Sequence, residues 1–219
     1  MEREEDILMK NILIHGLGQS SKDWNTVKNE LEIKTAAPDL FKLINGRELS
    51  YNEVYQALCQ LCESYQDRLN LCGLSLGGLL ALNYAIQHPA NVNSLVLIGT
   101  PYEIPEKLLK FQNLIFKLMP KSAFKSVGCS KKDFIHLSNS MADLNFMKLA
   151  AELNCPSLIL CGEKDKANLA SAKRFYEVMN NCKLVIVENS GHEVNKDNPH
   201  KLTSVLQDFW TEDGRKLGF

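Results

Sequence analysis

Gly73-Leu74-Ser75-Leu76-Gly77 lies where an apolar run, Leu69 to Cys72, gives way to residues at helical spacing, Leu79 to Ala85. A serine between two glycines at such a junction is held on a sharp strand-to-helix turn. Its hydroxyl stands clear at the end of a sheet, with a helix N-terminus behind it. A side chain at either glycine would crowd the turn. The competing reading of Ser75 is an ordinary helix N-cap, and the pentapeptide alone does not separate the two. The pattern on either side does.

Upstream and downstream, short apolar runs alternate with helical periodicity. Strands are expected at Asn11–His15, Ile33–Ala37, Leu69–Gly73, Ser94–Gly99, Ser157–Cys161 and Lys183–Glu188. Helices are expected at Trp24–Leu31, Tyr51–Ser64, Leu76–Gln87, Leu169–Met179 and Pro199–Trp210. Ser50, with Glu53 three residues on, forms a capping-box pattern at the second of these. His88-Pro89 closes the third, because the residue before proline avoids helical geometry. Continuous apolar strands joined by crossover helices predict an α/β fold with a parallel sheet covered on both faces.

Pro101 to Asn154 breaks the rhythm, at roughly fifty residues too long for an ordinary connection. Its apolar residues recur at helical spacing, so two to four short helices are expected over the end of the sheet. The chain thus reads as one domain, residues 1–219, with a helical cap inserted at 101–154.

In doubly wound sheets, function collects where strands end. Four strand ends here carry pointed chemistry: His15-Gly16-Leu17-Gly18, then Ser75, then Asp165 in Gly162-Glu163-Lys164-Asp165, then His192 in Ser190-Gly191-His192. A serine hydroxyl is a poor nucleophile at neutral pH; it needs a base, and the base needs a group to fix its tautomer. His192 and Asp165 fill those roles in the order serine, acid, histidine. Asp165 has a competing role as a cap on the next helix, and His15 reads as a brace for its loop.

Together these motifs resemble the α/β-hydrolase family over essentially the whole chain from Met9. The resemblance implies Ser75 as nucleophile, His192 as general base and then acid, and Asp165 as the orienting carboxylate. The backbone N–H groups of Leu17 and Leu76 would form the oxyanion hole. The family's first two strands have no counterpart here, which implies six parallel strands with helices on both faces, the strand from Ile33 at one edge and that from Lys183 at the other. The reaction implied is hydrolysis of a small apolar carboxylic ester or thioester through an acyl-enzyme, with no metal and no organic cofactor. The same triad also serves carbon–carbon hydrolases, lactonases and lyases, and some members of the fold only bind ligands. The cap offers Phe111, Phe116, Met119, Phe134 and Met141 as pocket candidates, against the alternative that they merely seal the insert.

Composition narrows the partners. With 25 basic and 26 acidic residues the net charge is -1, which gives no field for nucleic acid. No apolar stretch reaches membrane-spanning length. The acidic start, Met1-Glu2-Arg3-Glu4-Glu5-Asp6, lacks a secretory pattern, and residues 1–8 read as a tail. Seven cysteines scattered through apolar segments suggest reduced thiols and a cytoplasmic protein. Cys59 and Cys62 form a C-x-x-C, but on a helical face with no second pair they read as core. Gly16-Leu17-Gly18 lacks the third glycine of a dinucleotide loop, with Ser21 in its place. Leu79 and Leu80 replace the Lys and Ser/Thr of a phosphate loop after Gly73 and Gly78.

Overall fold

The computed structural model describes residues 11–44, 46, 48–104, 109, 113, 116–118, 120, 124 and 129–211. Six strands form one parallel sheet: β1 (Asn11–Ile14), β2 (Thr35–Ala36), β3 (Leu69–Leu74), β4 (Val92–Ile98), β5 (Ser157–Gly162) and β6 (Cys182–Val187). Their order is β2-β1-β3-β4-β5-β6, which puts the two expected strands at the edges.

Alternation along each strand feeds two cores. Ile12, Ile14, Leu71, Leu95, Leu97, Ile159 and Cys161 face one side. There they meet α2 (Leu40–Leu43), α3 (Tyr51–Glu63), α4 (Leu76–Gln87) and α7 (Leu169–Val178). Leu13, Cys72, Leu74, Val96, Ile98, Leu158 and Leu160 face the other, against α1 (Asn25–Glu30) and α9 (Pro199–Trp210). Trp24, Val27, Leu202, Leu206 and Phe209 supply most of that second layer. Both faces being apolar is why the strands read as unbroken hydrophobic runs. Cys59 and Cys62 are buried in the first core, and each cysteine is a free thiol.

Several elements differ from expectation. The second strand shrinks to Thr35–Ala36, because only these residues pair with β1. The first helix opens as a 3-10 turn at Ser21–Trp24 before becoming α1. A short helix, α2, follows Pro38-Asp39, and another, α8 (Val194–Asp197), follows His192. Within 101–154 the structure shows α5 (Lys131–Ser140) and α6 (Met147–Ala150). Ser50 accepts from the Glu53 N–H at the expected cap, and Ser130 and Asp133, not singled out by sequence, form a reciprocal box on α5.

The opposite end of the sheet is polar. Asn70 donates to Asn11 at 2.8 Å and accepts from Ser94 at 2.7 Å and Asn93 at 2.6 Å. This amide ladder satisfies buried groups across β1, β3 and β4 and leaves the carboxyl ends of the strands for chemistry.

Candidate active site

Ser75 joins β3 to α4 with φ 55° and ψ -111°, a left-handed conformation that costs energy for any residue with a Cβ. Two close approaches enforce it. A Cβ on Gly73 would overlap the Gly77 carbonyl, and one on Gly77 would overlap the Ile14 carbonyl of the neighbouring strand. Ser75 stands at the N-cap position of α4, yet its side chain makes no capping bond. The cap alternative therefore fails, and the hydroxyl is left for another task. The Ser75 N–H is spent on Ile98 O at 2.8 Å, at the end of β4.

His192 and Asp165 meet at that same strand end. His192 Nδ1 lies 2.7 Å from Asp165 Oδ2. A carboxylate only accepts, so Nδ1 carries the proton and Nε2 is the free, basic nitrogen. Gly99, the residue after Ile98, lets the pair come close: a Cβ there would sit 3.1 Å from His192 Nδ1 and 3.2 Å from Asp165 Oδ2. Ser75 and His192 thus converge on the Ile98–Gly99 backbone, although no hydrogen bond joins their side chains. Such bonds commonly tighten only with substrate in place.

Loop stitching explains why β5 and β6 deliver these two residues together. The Lys164 N–H donates to Ser190 O at 2.8 Å, and Glu163 Oε2 accepts from the Asn189 N–H at 3.1 Å. Glu163 is thereby committed to the loop, leaving Asp165 as the carboxylate facing His192. Asp165 is 6% exposed. Burial alone would raise its carboxyl, but hydrogen bonds from His192 and Asn168 outweigh that and hold it below the usual carboxylate range. Its Oδ1 also accepts the Asn168 N–H at 3.3 Å, but the N-cap of α7 is Asn168, so Asp165 is not the cap of that helix.

Leu17 follows Gly16 in the turn after β1, and Leu76 is the first residue of α4. Among the described residues neither N–H has an acceptor. The turn is braced by His15, which is fully buried. Its Nδ1–H donates to Gly16 O at 2.9 Å, and its Nε2 accepts the Leu40 N–H at 3.0 Å. Those two bonds require a neutral ring, and burial lowers its pKa. In the unfolded chain the same group protonates near pH ~6.5. Its contribution to stability is thus complete above that value and is lost as pH falls below it. Thermal melts from pH 7 to 5 should show a fall in Tm that is flatter in His15→Gln; the slope from one such group is at most about 1.4 kcal/mol per pH unit. Parallel slopes would refute the assignment.

A buried amide pair locks the two loops to each other. Gln19 Nε2 donates to Asn195 Oδ1 at 3.1 Å, and Asn195 Nδ2 returns a bond to Gln19 Oε1 at 3.3 Å. Both residues are 1% exposed. Gln19 also bonds Glu193 Oε1 at 3.0 Å, and Asn195 donates to Asp23 O at 3.1 Å. Every amide group is satisfied, so the network is rigid.

Of the pocket candidates, Phe134 sits beside the turn: a Cβ on Gly18 would lie 3.6 Å from its Cζ. Phe116 packs edge-on to Phe134 at 4.8 Å between ring centroids, and Phe124 joins them at 5.2 Å from Phe134. Met141 is buried in the first core. Phe111 and Met119 lie outside the described residues. Elsewhere, His88 stacks on Tyr84, His136 pairs with Glu48 and His200 with Glu30, all away from this site. Among the described residues no cluster of His, Cys, Asp and Glu has the arrangement to hold a metal. No helix there is long and apolar enough to cross a membrane.

Asn168, Gln19, Asn195 and Gly99 were not singled out by sequence. Asn168, three residues past Asp165, carried the one available signal, that of a residue at a helix start.

Comparison with known proteins agrees with this architecture. A protein of Bacillus subtilis (strain 168), provisionally named a 2-succinyl-6-hydroxy-2,4-cyclohexadiene-1-carboxylate synthase, is 22% identical, over 91% of this chain and 89% of its own. The enol-lactonase from Burkholderia xenovorans LB400 superposes with TM-score 0.79 at 16% identity, covering 93% of this chain and 92% of that one. A thermophilic esterase from Thermogutta terrifontis gives 0.77 at 18% identity, covering 92% and 89%. A family model described as the alpha/beta hydrolase fold matches residues 12–125. With its six parallel strands, its strained serine turn and this match, the chain belongs to the α/β hydrolase fold family.

Proposed function

We propose that this protein is a serine hydrolase of small apolar carboxylic esters or thioesters, with Ser75, His192 and Asp165 as its triad. The observation that carries the reading is the uncommitted, strained Ser75 hydroxyl at the strand end where His192 is bonded to a buried Asp165. His192 Nε2 takes the hydroxyl proton as Ser75 Oγ bonds to the ester carbonyl carbon. The oxyanion forms against the Leu17 and Leu76 amides, donors of a kind worth about 10²–10³ in rate each. The imidazolium gives its proton to the departing alcohol or thiol. Water, activated by the same nitrogen, then attacks the acyl-enzyme and releases the acid and Ser75.

Phe134 beside Gly18, with Phe116 and Phe124 packed against it, supports an apolar acyl group. In this reading 1–219 is one domain and 101–154 its cap, whose sequence carries lysines but no arginine. An acidic substrate would want arginines over the site, so the neutral ester is favoured over the carboxylate-bearing substrates some members of this fold use.

A fluorophosphonate probe should add once per chain, on the peptide containing Ser75. A panel of nitrophenyl esters and acyl thioesters should show kcat/KM rising with apolar acyl length from two to about six carbons, by roughly threefold per methylene. Equal turnover of short, charged and apolar esters would contradict the apolar pocket. Absence of both labelling and turnover would contradict the hydrolase reading and favour a ligand-binding role.

A further inference from the structure

The Asp165 carboxylate has a second partner beside His192. Asn168 Nδ2 lies 3.0 Å from Asp165 Oδ1 and 2.9 Å from Oδ2, and the Asn168 N–H reaches Oδ1 at 3.3 Å. The same Nδ2 is 3.2 Å from His192 Nδ1. Both nitrogens are donors toward one carboxylate, so this last distance marks two neighbours on a shared acceptor. The amide's orientation follows from the chemistry: turned over, its carbonyl oxygen would face the carboxylate oxygens.

We propose that Asn168 is a positioning residue for the triad, whose amide fixes the plane of the Asp165 carboxylate against His192 and withdraws part of its charge from the imidazole. The proposal rests on the triad assigned above. Asp165 sits on a turn after β5, and a carboxylate held only by His192 is free to rotate about its χ2 angle. Donors at both oxygens remove that freedom. They also stabilise the ionised acid, which weakens its pull on an imidazolium.

The surrounding charges leave this role to Asn168. Glu163 accepts from the Asn189 N–H, and Lys164 Nζ donates to Asn189 O. Asp197 accepts from the Gly191 N–H, and Glu193 is held by Gln19 and Lys196. From β5 the Cys161 thiol faces the Asp165 backbone carbonyl, not its carboxylate. His192 and Asn168 alone hydrogen-bond the carboxylate side chain among the described residues.

Two isosteric variants separate positioning from mere support. Asn168→Leu deletes the side-chain donor and keeps the backbone N–H on Oδ1, and Asn168→Asp replaces the side-chain donor with a second negative charge. The midpoint of the His192 imidazole titration, followed by proton NMR with His192 assigned from its loss in His192→Gln, should rise in Asn168→Leu. It should rise further in Asn168→Asp, with total shifts of about half a unit and a unit or more. The acid limb of kcat/KM should move by the same amounts, and kcat on the best ester should fall about tenfold in Asn168→Leu. Unchanged midpoints, or equal shifts in both variants, would overturn the proposal. If the leucine variant fails to fold, the aspartate variant, a good N-cap, carries the test alone. The NMR titration reads the Asn168 contact whether or not Ser75 is the nucleophile. Failure of the wild type to label with fluorophosphonate would count against the triad itself.

Discussion

Ser75→Ala is expected to lower kcat/KM on a nitrophenyl ester by about 10⁴–10⁶-fold, by analogy with nucleophile deletions in serine hydrolases. Labelling by a fluorophosphonate should vanish with it. The size follows from the geometry, since no other hydroxyl occupies the strained turn between β3 and α4. Stability should hardly change. The side chain makes no capping bond, so removing its oxygen leaves no buried group unpaired. Alanine keeps the Cβ and hence the strain of φ 55°. The expected signature is a normal Tm, a residual rate from the oxyanion amides and binding alone, and no covalent adduct. A Ser75→Ala protein that still labels stoichiometrically would place the nucleophile elsewhere and sink the mechanism.

Gly73→Ala should do the opposite, harming the fold before the chemistry. The new methyl would overlap the backbone of Gly77 and come against the N atom of Gly78. Backbone at the start of a packed helix cannot yield as a flexible side-chain tip can. α4 is buried along Leu76, Leu79, Leu80, Leu82 and Tyr84, so shifting it disturbs the whole first core. A cost of about 3 kcal/mol or more is expected, a large share of a domain's stability. Urea unfolding of wild type and variant measures it directly. Gly46→Ala is the control: its Cβ meets nothing within 4 Å, though its φ of 82° is unfavourable for alanine. It should cost about 1 kcal/mol. Similar losses in the two variants would show that the Gly73 contact is not what holds the turn.

What could be read from sequence, and what could not, divides by range of interaction. Strand positions and sheet class follow from local periodicity, which a parallel sheet buried on both sides writes plainly, whereas the edge strands follow only from the family resemblance. Ser75, Asp165 and His192 were legible because each ends a recognisable strand. The truncation of β2 was not, because an edge strand's length depends on its partner, and only Asn11 and Ile12 pair with it. Helix α2 was missed because its start is tied to a residue 25 positions earlier, through the Leu40 N–H and His15 Nε2. Asn168 lies close to Asp165 in sequence, yet nothing in composition distinguishes a cap residue from one that grips a carboxylate. Gln19 and Asn195 are two ordinary polar residues until the fold sets them face to face.

That amide pair also has a consequence for the protein's birth. Asn195 is added to the chain 176 residues after Gln19. At a translation rate of about 5–20 residues per second, the interval is roughly 9–35 s. Throughout it the turn after β1 lacks its clamp. The strained serine turn between β3 and α4 is therefore made before Asp165 and His192, the residues that would complete the site proposed above. The two loops are joined only when the segment after β6 has emerged and Asn195 pairs with Gln19.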